Sequence, residues 1–239
     1  MPAPLYPTTV EEIRELSFDT KHFKLQFKDS NLLPFKAGQF VMLHVLDQKT
    51  GKIEKRPYSI ASPPQLKGAV ELCLNRVEGG FMSNYLCDLK GGEGLTVDGP
   101  YGKFLVKEPI ERGVLFTATG TGVAPFRSMI HGLFLSGKAE GKEIWLFFGV
   151  RYENAILYEE EWKKLAAEYS NFHYIQTISR PQTWTGEKGY VQEKIKKHTT
   201  DSSGFDNYIC GLPKMVDDVR ATCLEMGFPK EKIHVEKYV

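Results

Sequence analysis

The stretch Leu115-Phe116-Thr117-Ala118-Thr119-Gly120-Thr121-Gly122-Val123-Ala124-Pro125-Phe126 constrains the fold more than any other part of this chain. A short apolar run ends in threonines and glycines, and Phe126, Met129, Ile130, Leu133 and Phe134 follow at helical spacing. That order predicts a buried strand, a tight glycine turn and a helix. Gly120 and Gly122 put no Cβ in the way, so a phosphate or ring can approach the backbone. The free N–H groups and dipole of the following helix then favour an anion. A dinucleotide fingerprint carries a third glycine where this chain has Pro125, and proline suits a first helical position because its missing N–H had no helical partner. The same turn also serves simply to join a strand to a helix, so by itself it does not decide cofactor binding.

The texture on either side of this stretch differs. Before it, Phe23–Phe27, Gln39–Val45, Val70–Leu74 and Gly94–Val97 read as strands punctuated by glycine, proline and Asp/Asn, the pattern of an antiparallel barrel. Ser83–Leu89 interrupts them as a short helix with Ser83 at its N-cap. After Glu108-Pro109, strands Val114–Ala118, Ile144–Val150, Phe172–Ile178 and Asn207–Cys210 alternate with helices Pro125–Leu135, Glu159–Tyr169, Val191–Lys197 and Pro213–Met226. Strand–helix alternation predicts a doubly wound parallel sheet. The expected organisation is a β-barrel domain over 1–108 and an α/β domain over 109–239.

Composition narrows the function classes. A net charge of +1 gives no bulk field for nucleic acid or an anionic membrane. No apolar run approaches the roughly 20 residues of a membrane helix, and Met1–Leu5 lacks the basic and apolar parts of a signal peptide, so a cytoplasmic location is expected. Cys73, Cys87, Cys210 and Cys223 form no Cys-x-x-Cys pair and no His lies at zinc spacing, so no metal site is expected. Three of these thiols read as core residues. Glu159–Glu161 with Lys163 and Lys164 reads as a solvated helix face.

Two stretches in the first half carry chemistry. Arg56-Pro57-Tyr58-Ser59, read as a loop, groups a phosphate fork, an aromatic plate and a small hydroxyl, enough to hold a flat phosphate-bearing cofactor. The plainer alternative is an edge strand with Tyr58 in the core and Arg56 in solvent. Gly79-Gly80-Phe81-Met82-Ser83 opens the short helix with free N–H groups that suit a pyrophosphate, or is an ordinary loop before a capping Ser.

Taken together, these segments resemble the ferredoxin–NADP reductase family. Arg56-Pro57-Tyr58-Ser59 is similar to its flavin motif, Gly80–Lys90 to its pyrophosphate segment, and Asp98-Gly99-Pro100-Tyr101-Gly102 to the turn closing its flavin domain. Gly120–Ser128 is similar to its nicotinamide motif, and Tyr208–Pro213 and His234–Tyr238 to its last two. The likeness runs in register from about Lys36 to the C-terminus. It implies an FAD-binding barrel, an NADP(H)-binding α/β domain, and hydride transfer between NADPH and FAD. It further implies single-electron exchange with a ferredoxin or flavodoxin, in either direction.

By resemblance, Arg56 and Pro57 lie on the flavin, with Arg56 at its pyrophosphate and Tyr58 against its ring. Ser59 hydrogen-bonds near N5, and Gly80, Phe81, Met82 and Ser83 hold the pyrophosphate. Thr119, Gly120, Thr121 and Gly122 line the nicotinamide side, with Cys210 and Gly211. Ser59, Cys210 and Glu236 complete the transfer site. Tyr238 shields the flavin in relatives that end at this tyrosine, but here Val239 follows it, and Tyr238 alternatively just finishes a strand. Ser179, Arg180, Lys188 and Tyr190 match the set that cradles an adenosine 2′-phosphate, whereas Pro181 and Trp184-Thr185-Gly186 are similar to NADH-using relatives. NADPH is the expected nucleotide.

Rival expectations are an NADH-dependent reductase component of a multisubunit oxygenase or dehydrogenase, a non-enzymatic flavin- or nucleotide-binding redox sensor, and a thiol hydrolase using Cys210.

Overall fold

The structure is a computed structural model, and it describes residues 4–28, 33–111 and 113–238. The chain divides into two compact units. One holds the residues up to Val106 together with Ala124–Gly132, and the other holds Lys107–Val123 and Leu133 onward.

In the first unit, strands β1 (Leu5–Glu15), β2 (Thr20–Phe27), β3 (Phe40–Asp47), β4 (Lys52–Ser59), β5 (Ala69–Asn75) and β6 (Gly94–Tyr101) form one antiparallel sheet in the order β4-β3-β6-β1-β2-β5. An Ile60–Leu72 bridge joins the two ends and curls the sheet into a barrel. β2 shows why these residues make strand. Phe23, Leu25 and Phe27 turn inward at period two, while Lys24 and Gln26 face outward. The interior is filled by Phe23, Leu25, Val41, Leu43, Ile60, Leu72 and Val97, with Met82 and Leu86 of helix α1 (Phe81–Asp88) packed into the same cluster.

The second unit is built on β7 (Gly113–Thr119), β8 (Glu143–Val150), β9 (Phe172–Ile178), β10 (Glu187–Lys188), β11 (Phe205–Gly211) and β12 (Ile233–Lys237). All are parallel, in the order β10-β9-β8-β7-β11-β12. The continuous apolar run Leu146-Phe147-Phe148 is fully buried, as expected of a strand covered on both faces. Helices α3 (Glu159–Glu168), α4 (Val191–His198) and α5 (Pro213–Glu225) pack on β9, on β8 and β9, and on β11 and β12 respectively. The chain winds from β7 outward to β10 and then returns to place β11 on the opposite side of β7. The topological switch point therefore lies between β7 and β11.

The fold is the expected antiparallel barrel followed by a doubly wound parallel sheet. Four local expectations are corrected. Arg56–Ser59 is not a loop but the end of edge strand β4. Helix α1 begins at Phe81 with Gly80 as its cap, and Ser83 sits inside the first turn, where its hydroxyl donates to the Gly80 carbonyl (3.3 Å) and accepts from the Val77 N–H (3.1 Å). Helix α2 (Val123–Leu135) starts two residues before Pro125, because a 3₁₀ turn at Gly120–Gly122 feeds directly into it. β1 and β10 carry too few inward apolar residues to show a period, and the sequence pattern passes over them, whereas β12 is the terminal strand allowed for at Tyr238.

Candidate active site

Each unit carries a candidate group of its own, and each group is built from local causes. In the barrel, β4 has a partner only along the β3 side over its length, so its outer edge offers main-chain donors and acceptors. Pro57, which has no N–H to lose, is tolerated on such an edge. Tyr58 packs against the barrel cluster while remaining half-exposed, and burial raises its phenol to about 12, so the ring is a neutral plate. Ser59 is buried at the strand end. Arg56 is exposed, donates to the Lys55 carbonyl (2.7 Å) and pairs with Glu54 at 3.2 Å. This is the edge-strand geometry of the plainer alternative, and a phosphate would have to draw Arg56 away from Glu54.

Helix α1 packs beside this strand. The cap of α1 carries no side-chain hydrogen bond, and the Phe81, Met82 and Ser83 amides find no acceptor among the described residues. Three unanswered N–H groups at a helix start, beside an exposed aromatic edge strand, fit a pyrophosphate joined to a flat ring. The residues present therefore fit a flavin dinucleotide. A groove of about 590 Å³ elsewhere on the barrel, lined by Phe27, Leu33, Phe35 and Leu105, contains none of these residues.

In the second unit, the candidate residues gather at the C-terminal ends of the strands flanking the switch point. Thr119 ends β7 and Gly120 follows at φ +53°, with open space where a Cβ would stand. Gly122 packs so closely on β11 that a Cβ there would overlap the Cys210 carbonyl. Cys210 is paired with Ala118 of β7 on one side and Glu236 of β12 on the other. Burial drives the Cys210 thiol well above its ordinary value. The neighbouring Glu236 charge adds to the rise and a hydrogen bond with Tyr238 opposes it. Burial favours the neutral thiol over the nucleophilic thiolate, which weighs against the hydrolase alternative. Burial also raises the Glu236 carboxyl to about 7. Tyr238 donates its N–H to the Gly211 carbonyl (2.9 Å), continuing the β12 pairing by one residue, and Val239 lies outside the described residues. Ser59 belongs to the other unit.

A second group lies along the same rim. Ser179 and Arg180 follow β9, and their N–H groups donate to the carbonyls of Val150 (3.0 Å) and Arg151 (2.9 Å) at the end of β8. Lys188 is in register with Ile178, and Tyr190 is 60% exposed just before α4. Arg151 was missed in the sequence. The signal available was a cation directly after a parallel strand, as Arg180 is. Arg151, Arg180 and Lys188 are all exposed, and no carboxylate pairs with them among the described residues. Among the described residues no His/Cys/Asp/Glu cluster could hold a metal ion, and no helix is long and apolar enough to cross a membrane.

A barrel that fits a flavin, joined in one chain to a doubly wound nucleotide sheet with a neutral thiol at its switch point, defines a two-domain flavin- and nicotinamide-dependent oxidoreductase. Family models agree. Residues 7–105 match an oxidoreductase FAD-binding domain and residues 116–221 an oxidoreductase NAD-binding domain. The chain is 38% identical to ferredoxin–NADP reductase B of Sorangium cellulosum over 95% of its length and 91% of that protein. It is 33% identical to the phenol hydroxylase P5 protein of Acinetobacter pittii, covering 98% of this chain but only 65% of that one. The structure of a ferredoxin NADP+ reductase from Neisseria gonorrhoeae with bound FAD and NADP superposes with a TM-score of 0.84 at 21% identity, covering 98% of this chain and 99% of that one. This chain belongs to the ferredoxin–NADP reductase family.

Proposed function

We propose that the chain takes hydride from NADPH onto FAD and passes electrons singly to a small redox protein of the ferredoxin or flavodoxin kind, or runs the same sequence backward. The observation that carries this reading is the convergence at the β7–β11 switch point of the Gly120–Gly122 turn, Cys210 and Glu236, on the same strand-end rim as Arg151, Arg180 and Lys188.

Bound FAD supplies the chemistry of accepting a hydride at one atom and releasing electrons one at a time. The chain's own residues bind and orient. Tyr58 offers an uncharged aromatic face, and Ser59 a hydroxyl at the end of its strand. The amides of Phe81, Met82 and Ser83 take the pyrophosphate, assisted by Gly80 and by Arg56 once it leaves Glu54. Thr119, Thr121 and Gly211 border the nicotinamide, and the small neutral thiol of Cys210 abuts it without reacting. Ser179, Arg180, Lys188, Tyr190 and Arg151 receive the adenosine 2′-phosphate, with Arg180 and Arg151 offering planar forks to its oxygens. Two of the similar proteins, the phenol hydroxylase P5 protein and a toluate 1,2-dioxygenase electron transfer component, support the alternative of a reductase component of an oxygenase.

Anaerobic stopped-flow of the flavin-loaded protein against each nucleotide tests the reading. NADPH is expected to bleach the flavin at far lower concentration than NADH. Arg180→Ala should raise the NADPH requirement about tenfold or more and leave NADH nearly unaffected. Equal losses for both nucleotides would remove the 2′-phosphate assignment, and bleaching by NADH alone would transfer the chain to the alternative.

A further inference from the structure

We infer that Glu153 is a positioning residue for the nucleotide, a carboxylate clamp that holds the loop after β9 in its binding shape. The inference rests on the assignment of the Arg151–Arg180–Lys188 rim to the adenosine end of NADPH.

Glu153 opens a one-turn 3₁₀ segment, two residues after Arg151. Its Oε1 accepts three consecutive backbone N–H groups from across the rim: Gln182 at 2.7 Å, Thr183 at 2.7 Å and Trp184 at 2.9 Å. Successive N–H groups converging on one point form an anion nest, and each bond to a carboxylate is charge-assisted. The Thr183 bond leads the causes that hold the Glu153 carboxyl below its ordinary value, so it is an anion throughout the neutral range.

The loop has little else to define it. Gln182, Thr183, Thr185 and Gly186 are exposed and bury no side chain that would fix their backbone. Its far end is anchored separately. There the Trp184 indole donates to the Glu187 carbonyl (3.0 Å), while the Glu187 carboxylate gathers Lys194 at 3.3 Å, His198 at 3.2 Å and Lys197. Between these anchors the backbone would be free without Glu153. Ordering such a segment when a ligand binds costs affinity, and ordering it beforehand recovers that affinity. Glu153 thus acts through Arg151 and Arg180, which its own turn and its own loop carry.

The test compares Glu153→Ala, Glu153→Gln and Arg180→Ala in the flavin-loaded protein, with ferricyanide as acceptor. Glu153→Ala should raise KM for NADPH about tenfold, with kcat and flavin content held within about twofold, because three N–H groups lose their acceptor but the reacting end is untouched. Glu153→Gln keeps an acceptor oxygen and should recover most of the loss. An unchanged KM in Glu153→Ala, with Arg180→Ala still impaired toward NADPH, would overturn the clamp and leave the nucleotide site standing. A parallel loss of kcat and flavin would make Glu153 a general structural residue and also overturn it. Should Arg180→Ala fail to discriminate the two nucleotides, the site assignment falls and the clamp falls with it.

Discussion

Glu236 has its carboxyl raised to about 7 by burial, so near neutral pH it divides between two protonation forms. Its register partner Cys210 stays neutral throughout. As hydride leaves a nicotinamide, the ring gains positive charge, and a carboxylate fixed nearby stabilises that charge more in the product-like state than in the ground state. The sign follows. Flavin reduction by NADPH should quicken as pH rises through about 7, where Glu236 ionises, and slow below it. Glu236→Gln should give a flat profile in that window, about tenfold slower than the unaltered protein at pH near 8. If the variant kept the same limb, the titrating group would be elsewhere. At this scale, Cys210 and Glu236 were visible in the sequence only through resemblance to the family. Spacing could not show that residues 26 positions apart are cross-strand neighbours. Arg151 offered only the faint signal of a cation after a strand, and Glu153 was not visible at all, because what defines it is a bond to main chain about 30 residues away.

At the scale of elements, the segment Ala124–Gly132 of α2 is tied into the barrel unit by a buried cation. Arg127 donates to the Glu71 carboxylate of β5 (2.5 Å) and to the Ala61 carbonyl (3.0 Å), and His22 of β2 stands 3.7 Å from the other Glu71 oxygen. Burial opposes ionisation of Glu71, but the His22 bond and the Arg127 charge outweigh it and hold the carboxyl at about 2. A depressed carboxylate stabilises the fold fully above its unfolded value near 4.5 and loses that contribution as pH falls toward 2. The contribution is about 3 kcal/mol. Denaturant titrations at pH 6, 4 and 3 should show stability falling by that order, and Glu71→Gln should be less stable at pH 6 yet nearly indifferent to acid. An equal acid slope in both proteins would assign the loss to other carboxylates.

Most of these elements were readable in advance where side chains alternate or repeat. β2, β3 and β5 show period two, and α3 sets Trp162 inward while Lys163 pairs with Glu159 at 2.8 Å on the solvated face. β1 was not readable, since it is held by pairing to β2 and β6 while burying only Thr8 and Val10.

Over the whole molecule, each unit carries a hydrophobic cluster of its own, one around Phe23, Leu43 and Leu72 and the other around Leu115, Phe147 and Ile209. The three tryptophans, Trp145, Trp162 and Trp184, all belong to the second unit. Indole emission therefore reports that unit, whereas release of flavin reports the barrel. Leu25→Ala, which empties a fully buried barrel position, should cost about 2–5 kcal/mol and move the flavin-release midpoint more than the indole midpoint. Coincident shifts would show that the chain unfolds as one cooperative body.

The open edge of β4 has a consequence of another kind. At the tip of its hairpin, Leu46 and Ile53 face each other in register at 56% and 61% exposure, a greasy pair beside an unpaired backbone rail. Such a rail invites a second copy to add its own strand, yet Lys49, Lys52 and Lys55 stand along the same hairpin, exposed and without a carboxylate partner among the described residues. Pairing two such edges would bring like charges together, which disfavours strand addition by a second copy. The strand whose end is proposed for a cofactor thus carries, at its other end, a charge pattern that works against edge-to-edge aggregation.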